Sequence, residues 1–176
     1  MVDQAAMQWK GSAMGTEPVV RNAQRDDVMA ICRFGEEHVR AHYTPLIGEE
    51  AAAKQVRMWW HETNIAGAVA RGAVVVADDG GHLAGVGQRG LNGDDQVIYK
   101  LYVHPRHRGG GLGVRLLDAL IGQLPVDAER LYIEHFVANE RAGAFYEREG
   151  FTVDRIEPSS TGDPALGVVW RVRSLR

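Results

Sequence analysis

Between residues 101 and 113 the chain reads Leu-Tyr-Val-His-Pro-Arg-His-Arg-Gly-Gly-Gly-Leu-Gly, its densest run of residues suited to chemistry. Gly109, Gly110, Gly111 and Gly113 follow His104, Arg106, His107 and Arg108, and Arg115 comes shortly after. Successive glycines let backbone N–H groups converge with no side chain in the way. A helix starting at Gly111 adds unpaired N–H groups and a partial positive charge. Together they predict an anion cradle suited to a phosphate or pyrophosphate. The basic residues raise the local positive potential within an acidic chain. Two familiar phosphate motifs are excluded. No lysine follows the glycines, so the Walker pattern fails. The dinucleotide fingerprint G-x-G-x-x-G fails too, because its third glycine falls on Val114 or Leu116.

What remains is Arg108-x-x-Gly111-x-Gly113, directly after a strand of the form L-x-V-x-P built by Leu101, Val103 and Pro105. A second stretch holds Asn139-Glu-Arg-Ala142 and Phe145-Tyr146-Glu-Arg-Glu-Gly150-Phe151. In these two segments the sequence resembles the GNAT superfamily of acyl-CoA-dependent N-acyltransferases. The match runs from about Leu101 to Phe151, and the order of elements extends it loosely from Val19 to Val172.

The resemblance implies a fold, a cosubstrate and roles for particular residues. The fold is α/β (α+β), a mixed, mostly antiparallel sheet of about six or seven strands flanked by about four helices. Acetyl-CoA would be the cosubstrate. Backbone amides of Arg108, Gly109, Gly110, Gly111, Leu112 and Gly113 would hold its pyrophosphate. Leu101, Tyr102 and Val103 would pair with the pantetheine arm, and an N–H near Val103 would polarise the thioester carbonyl. Asn139 would contact the same arm. Tyr146 would protonate the leaving thiolate as general acid. The acceptor, a small-molecule or peptide amine, would attack the acetyl carbon directly.

The general base is where the pattern departs from the family. Some members place a glutamate at the position of Val97, and valine cannot take a proton. Glu134, His135, Asp95, Tyr99 or a water held by several of them are the alternatives, with Glu134 favoured. That departure also motivates a second reading, a non-catalytic acyl-CoA-binding or regulatory module on the same fold. A different nucleotide-phosphate binder is a third. In the first half, Phe34 and Trp59 read as core, while His38, His42 and Tyr43 read as acceptor-site candidates. Cys32 reads as a small buried hydrophobe. His104 and His107 are three apart with no third ligand near in sequence, so no metal site is expected.

The elements that must position these residues follow from pattern. Residues 1–16 show no clean period and read as an extension, mobile or docked through Trp9. Residues 17–176 read as a single domain. Pro18 to Arg21 is a short strand, and Asp26 and Asp27 offer N-cap chemistry for a helix to about Arg40. His42 to Gly48 reads as a loop and Glu49 to Trp60 as a helix. Ala73–Ala77 and Leu83–Gln88 form a hairpin about Asp78-Asp-Gly-Gly81. After a turn at Asn92–Asp95, Gln96–Val103 is a strand. Gly111–Leu124 is a helix with Leu116, Leu117 and Leu120 inward. Arg130–Val137, Phe151–Ile156 and Leu166–Val172 are strands, and Asn139 to about Glu149 is a helix. The crossover from residue 97 to 137 predicts a parallel strand pair.

Composition bounds the function. The chain has 176 residues, and glycine accounts for 21 of them, above the usual ~7%. A formal net charge of −3 argues against a nucleic-acid partner. One cysteine cannot form an internal disulfide. No apolar run approaches the ~20 residues of a membrane helix, and no secretory leader is recognisable. Cytoplasmic placement with no membrane partner is the resulting expectation, and a homodimer is expected only by analogy.

Overall fold

The computed structural model describes residues 17–176, so the expected N-terminal extension lies outside the described residues. Seven strands form one sheet: β1 (Val19–Asn22), β2 (Val74–Asp79), β3 (His82–Asn92), β4 (Asp95–Val103), β5 (Arg130–Phe136), β6 (Thr152–Glu157) and β7 (Val168–Ser174). Their order is β1-β2-β3-β4-β5-β7-β6. Every neighbouring pair is antiparallel except β4–β5. This is the mixed, mostly antiparallel sheet expected from the sequence.

Helices cover both faces. On one face lie α1 (Val28–Phe34), a π-helical turn (Gly35–Val39), α2 (Arg40–Ile47), α3 (Glu49–Trp59) and α4 (Glu62–Ala70). On the other lie α5 (Leu112–Ile121), which makes the parallel crossover, and α6 (Glu140–Arg148). Counting α1 to α2 as one continuous body, five helices flank the sheet. Val74, Val75, Val76 and Ala77 feed both cores, since their side chains alternate between two covered faces. Leu112, Leu116, Leu117 and Leu120 put one apolar stripe of α5 onto the sheet. Each such fully buried leucine contributes roughly 1.5–3 kcal/mol.

Three expectations about the first half are corrected. His42 to Ile47 is helix, not loop, even though Pro45 lies inside α2. Proline forfeits one helical hydrogen bond, but Tyr43 and Ile47 are buried on the same helix and packing overrides the local preference. Trp59 is 50% exposed, and Trp60 at 3% takes the core position instead. The backbone of Gly35 lies against Trp60: a Cβ there would sit 2.7 Å from the Trp60 side chain. Finally, α4 occupies residues for which the sequence pattern offered no element, because its Ala- and Gly-rich stretch carries little amphipathic signal.

The register at β4 shapes everything that follows. Gln88 pairs with Lys100 and Arg89 with Ile98, so Tyr99 is an extra residue, a β-bulge. The parallel pairing of β4 with β5 covers only Gln96↔Leu131, Val97↔Tyr132 and Ile98↔Ile133. Beyond the bulge the two strands part, and the β5-facing edge of β4 is left unpaired by sheet.

Candidate functional site

The strand–turn–helix after β4 is built around backbone conformations that side chains resist. His104 closes the strand by donating its N–H to the Ala84 carbonyl at 2.8 Å, and its Nδ1 accepts from the Arg106 N–H at 3.1 Å. A single turn of 3₁₀ helix spans Pro105–His107. Gly109 and Gly111 then adopt φ of +83° and +79°. For a residue with a Cβ the left-handed region costs about 1–2 kcal/mol. A Cβ added at Gly109, Gly110 or Gly111 would meet nothing within 4 Å, so this surface is bare backbone facing open space. Gly111 caps α5, and the first intrahelical bond there runs from the Arg115 N–H to the Gly111 carbonyl. The N–H groups at the start of α5 are left to face outward. Gly113 is constrained differently, since a Cβ would lie 3.3 Å from the Phe145 ring where α5 meets α6.

This turn forms one end of a cleft of about 480 Å3 that runs along the open edge of β4. Arg108 folds back to donate from Nε to the Val103 carbonyl at 2.9 Å, leaving its two terminal nitrogens free of that bond. Arg141 and Arg148 also belong to the cleft wall. Burial and the nearby Arg141 charge both disfavour the charged form of Arg108. An anion here would relieve that crowding.

The opposite wall comes from α6. Asn139 caps the helix, its Oδ1 accepting from the Ala142 N–H at 3.3 Å, and its side chain is buried in the cleft wall. Tyr146 is buried among Phe145, Phe151 and His135, with ring centroids 5.3, 5.8 and 6.0 Å away. Burial, and secondarily the neighbouring Tyr43, push its phenol pKa far up, so it is a loaded proton donor at neutral pH. No side-chain hydrogen bond among the described residues holds that hydroxyl. The hydroxyls of Tyr43 and Tyr102 are hydrogen-bonded to each other nearby.

Tyr146, the favoured base Glu134 and every residue named from the sequence as cosubstrate-binding border this one cleft except Gly110, which lies in the turn but outside the wall. The candidates for a base are sorted by their surroundings. Val97 is fully buried and Asp95 lies outside the cleft. Both nitrogens of His135 are engaged, Nδ1 with the Phe136 carbonyl at 2.9 Å and Nε2 accepting from Arg171 Nε at 3.0 Å. The Tyr99 hydroxyl donates to the Leu91 carbonyl at 2.8 Å. Glu134 stands at the rim, open to solvent on one side. The surrounding protein and then Glu157 raise its carboxyl pKa, and Arg155 offsets part of that. A raised carboxyl is a stronger base than a free one.

Of the three acceptor-site candidates, His42 and Tyr43 border the cleft. His38 does not. It packs edge-on against His104, with centroids 4.3 Å apart, in a separate depression between α1 and the β2–β3 turn. Lys100 also belongs to the cleft wall and was not singled out from the sequence.

Comparison with known proteins agrees with this geometry. Residues 70–153 match the family model described as an acetyltransferase (GNAT) domain. No curated protein matches the chain. Among solved structures, the PaiA N-acetyltransferase of Thermoplasma acidophilum in complex with coenzyme A superposes with a TM-score of 0.74 at 14% identity, over 90% of this chain and 99% of that one. A GCN5-related N-acetyltransferase of Rhodopseudomonas palustris gives 0.74 at 22% identity, over 94% and 100% of the two chains. An acetyltransferase of Thermus thermophilus gives 0.62 at 20%, over 91% and 98%.

Proposed function

We propose, from the premise that this chain is an acyltransferase of the GNAT superfamily, that it moves an acetyl group from acetyl-CoA to a primary amine by direct attack. One observation carries the reading. A side-chain-free glycine turn at a helix start, an unpaired β4 edge and a buried, protonated tyrosine all border a single cleft.

The residues fit such a cosubstrate in kind. Outward N–H groups from Arg108 to Gly113, with the guanidiniums of Arg108, Arg141 and Arg148, suit a pyrophosphate. The outward N–H and C=O of Leu101 and the N–H of Val103 suit the amides of a pantetheine arm, with Tyr102 held in the β3 ladder between them. Asn139 offers a further polar contact. A main-chain N–H near Val103 would stabilise negative charge on the thioester oxygen as it develops.

The protons balance as follows. Glu134, directly or through water, takes one proton from the acceptor ammonium. The amine nitrogen bonds to the acetyl carbon and the carbon–sulfur bond breaks. Tyr146 donates its phenolic proton to the leaving sulfur, and the second amine proton, released as the amide forms, makes good that loss. No covalent acyl-enzyme is required.

The test joins binding to turnover. Calorimetric titration with acetyl-CoA, with NAD as control, should give micromolar binding that Gly111→Glu abolishes. A broad amine panel should then release free thiol from acetyl-CoA, and Tyr146→Phe should suppress that release. Intact transfer in both variants would overturn the proposal.

A further inference from the structure

The transfer chemistry leaves one buried charge without a use. Lys100 is only 6% exposed. Its Nζ donates to the Gln88 Oε1 at 2.6 Å and lies 5.4 Å from the centre of the Trp60 ring. Both neighbours are neutral. Among the described residues no carboxylate lies within 4.0 Å of it. Burial, with no opposing charge, lowers its pKa to about 8. A desolvated ammonium without a counter-ion is costly, and buried lysines are ordinarily paired.

The place of this charge matters. The bulge at Tyr99 turns Lys100 onto the sheet face covered by α1 to α4, the face it shares with Gln88 and Tyr102. Lys100 stands on β4 just past the point where β4 leaves β5, and Glu134 stands on β5 across that gap, on the same face. Trp170, the register partner of Glu134 on β7, holds a second buried donor: its indole N–H has no partner among the described residues. Among the described residues this face therefore carries two buried donors with no carboxylate paired to either, while Glu134 stands at the rim. Tyr43 from α2 and Tyr102 from β4 are the other titratable groups that face this region. The arginines that suit phosphates lie at the glycine-turn end of the cleft.

We infer that Lys100 is the anchoring residue for the acceptor, and that the acceptor is an amine that also carries a carboxylate. The inference rests on the acyl-transfer reading for the identity of the amine end. A single positive charge beside one neutral amide matches a monoanion, whereas a phosphate dianion would call for the paired guanidiniums at the other end. The carboxylate supplies the counter-charge that the fold omits, while the amine is held near Glu134. An acceptor with a neutral tail would leave the ammonium buried and unpaired, so the same contact selects against simple amines.

The test is titration of the coenzyme-A-saturated protein with the twenty common amino acids and a set of dipeptides, each beside its C-terminal amide. At least one acid should bind tenfold or more tightly than its amide. Lys100→Met and Lys100→Gln should both reduce that ratio below twofold while their thermal midpoints hold or rise, since a buried uncompensated charge is removed. Binding at pH 8 should take up protons, read from titrations in buffers of different ionisation enthalpy. Free amino acids and dipeptides in the panel separate the two sources of such a carboxylate. The inference is overturned if no acid is preferred over its amide, or if the preference survives in both variants. Thiol release from acetyl-CoA is measured on the same panel. Its absence alongside a persistent acid preference would sink acyl transfer and spare Lys100. Equal release with acids and amides would do the reverse.

Discussion

Replacing Gly110 and Gly111 one at a time by alanine separates a structural turn from an anion cradle. Gly111 sits at φ +79° and ψ −1° with open space where a Cβ would go. Alanine there pays backbone strain alone, about 1–2 kcal/mol. For a domain of this size each kcal/mol moves the thermal midpoint by roughly 2–4 °C, so Gly111→Ala should melt about 2–8 °C lower. Gly110 has no positive φ and equally open surroundings. Gly110→Ala should be neutral, or gain up to about 1 kcal/mol by restricting the unfolded chain. The ligand arm then adds a second axis. At a hundredfold excess over Kd, acetyl-CoA should stabilise the wild type by about 2.7 kcal/mol. That strain enters once: a turn held left-handed without ligand lowers the midpoint and keeps the ligand shift, whereas a turn that relaxes keeps its midpoint and loses the difference from the ligand shift. Melting curves with and without acetyl-CoA read both effects, and the two losses should together come to about 1–2 kcal/mol. If Gly111→Ala matches the wild type in both, the left-handed requirement is wrong. If it melts low and the wild type shows no ligand shift, the turn is structural and the cradle lies elsewhere.

Three further outcomes follow from the same geometry. Tyr146→Phe should lower kcat by about 10²–10⁴, the usual range for a positioned acid. Its acetyl-CoA affinity should stay within twofold and its midpoint should not fall, because no side-chain hydrogen bond is lost; kcat, Kd and melting together check this. Glu134 has a raised carboxyl pKa and serves as base only when ionised. The rate should therefore fall as pH drops through that raised value, and in Glu134→Gln this acid limb of the kcat/KM profile should flatten. Gly35→Ala would place a Cβ 2.7 Å from Trp60, on a core side chain with little room to yield. Overpacking of that kind costs roughly 1–3 kcal/mol, measurable as a lower urea midpoint with an unchanged slope.

Much of the fold was legible from local pattern. The hairpin at Gly80 and Gly81, both at positive φ, and the valine run of β2 announce themselves by residue type. So does the glycine turn, because its requirement is conformational and only glycine meets it cheaply. The first half resisted the same treatment. Tyr43 borders the cleft from α2, which continues through Pro45, and that continuation depends on burial that no local rule contains. The choice between Trp59 and Trp60 for the core is one of helix phase at a C-terminus, settled by the glycine at position 35, far away in sequence. His135 as a base was excluded by Arg171, its partner from β7, which only the tertiary register supplies.

Lys100 was hidden for a more specific reason, and that reason ties the fold to the site. In strict alternation from Val97, the residue at 100 shares a face with Ile98 and belongs to the core under α5. The extra residue at Tyr99 reverses the alternation, so Ile98 and Leu101 keep the α5 face while Lys100 crosses to the other. The same insertion bends β4 away from β5 and ends their pairing at Ile98. One irregularity therefore opens the edge that suits a pantetheine arm and, on the opposite face, sets a buried ammonium beside the opening. The same residues in strict alternation would have neither feature. Deleting Tyr99 removes the extra residue, so it should close the edge and abolish acetyl-CoA binding while Ile98 and Leu101 stay toward α5 and Lys100 stays on the α1–α4 face.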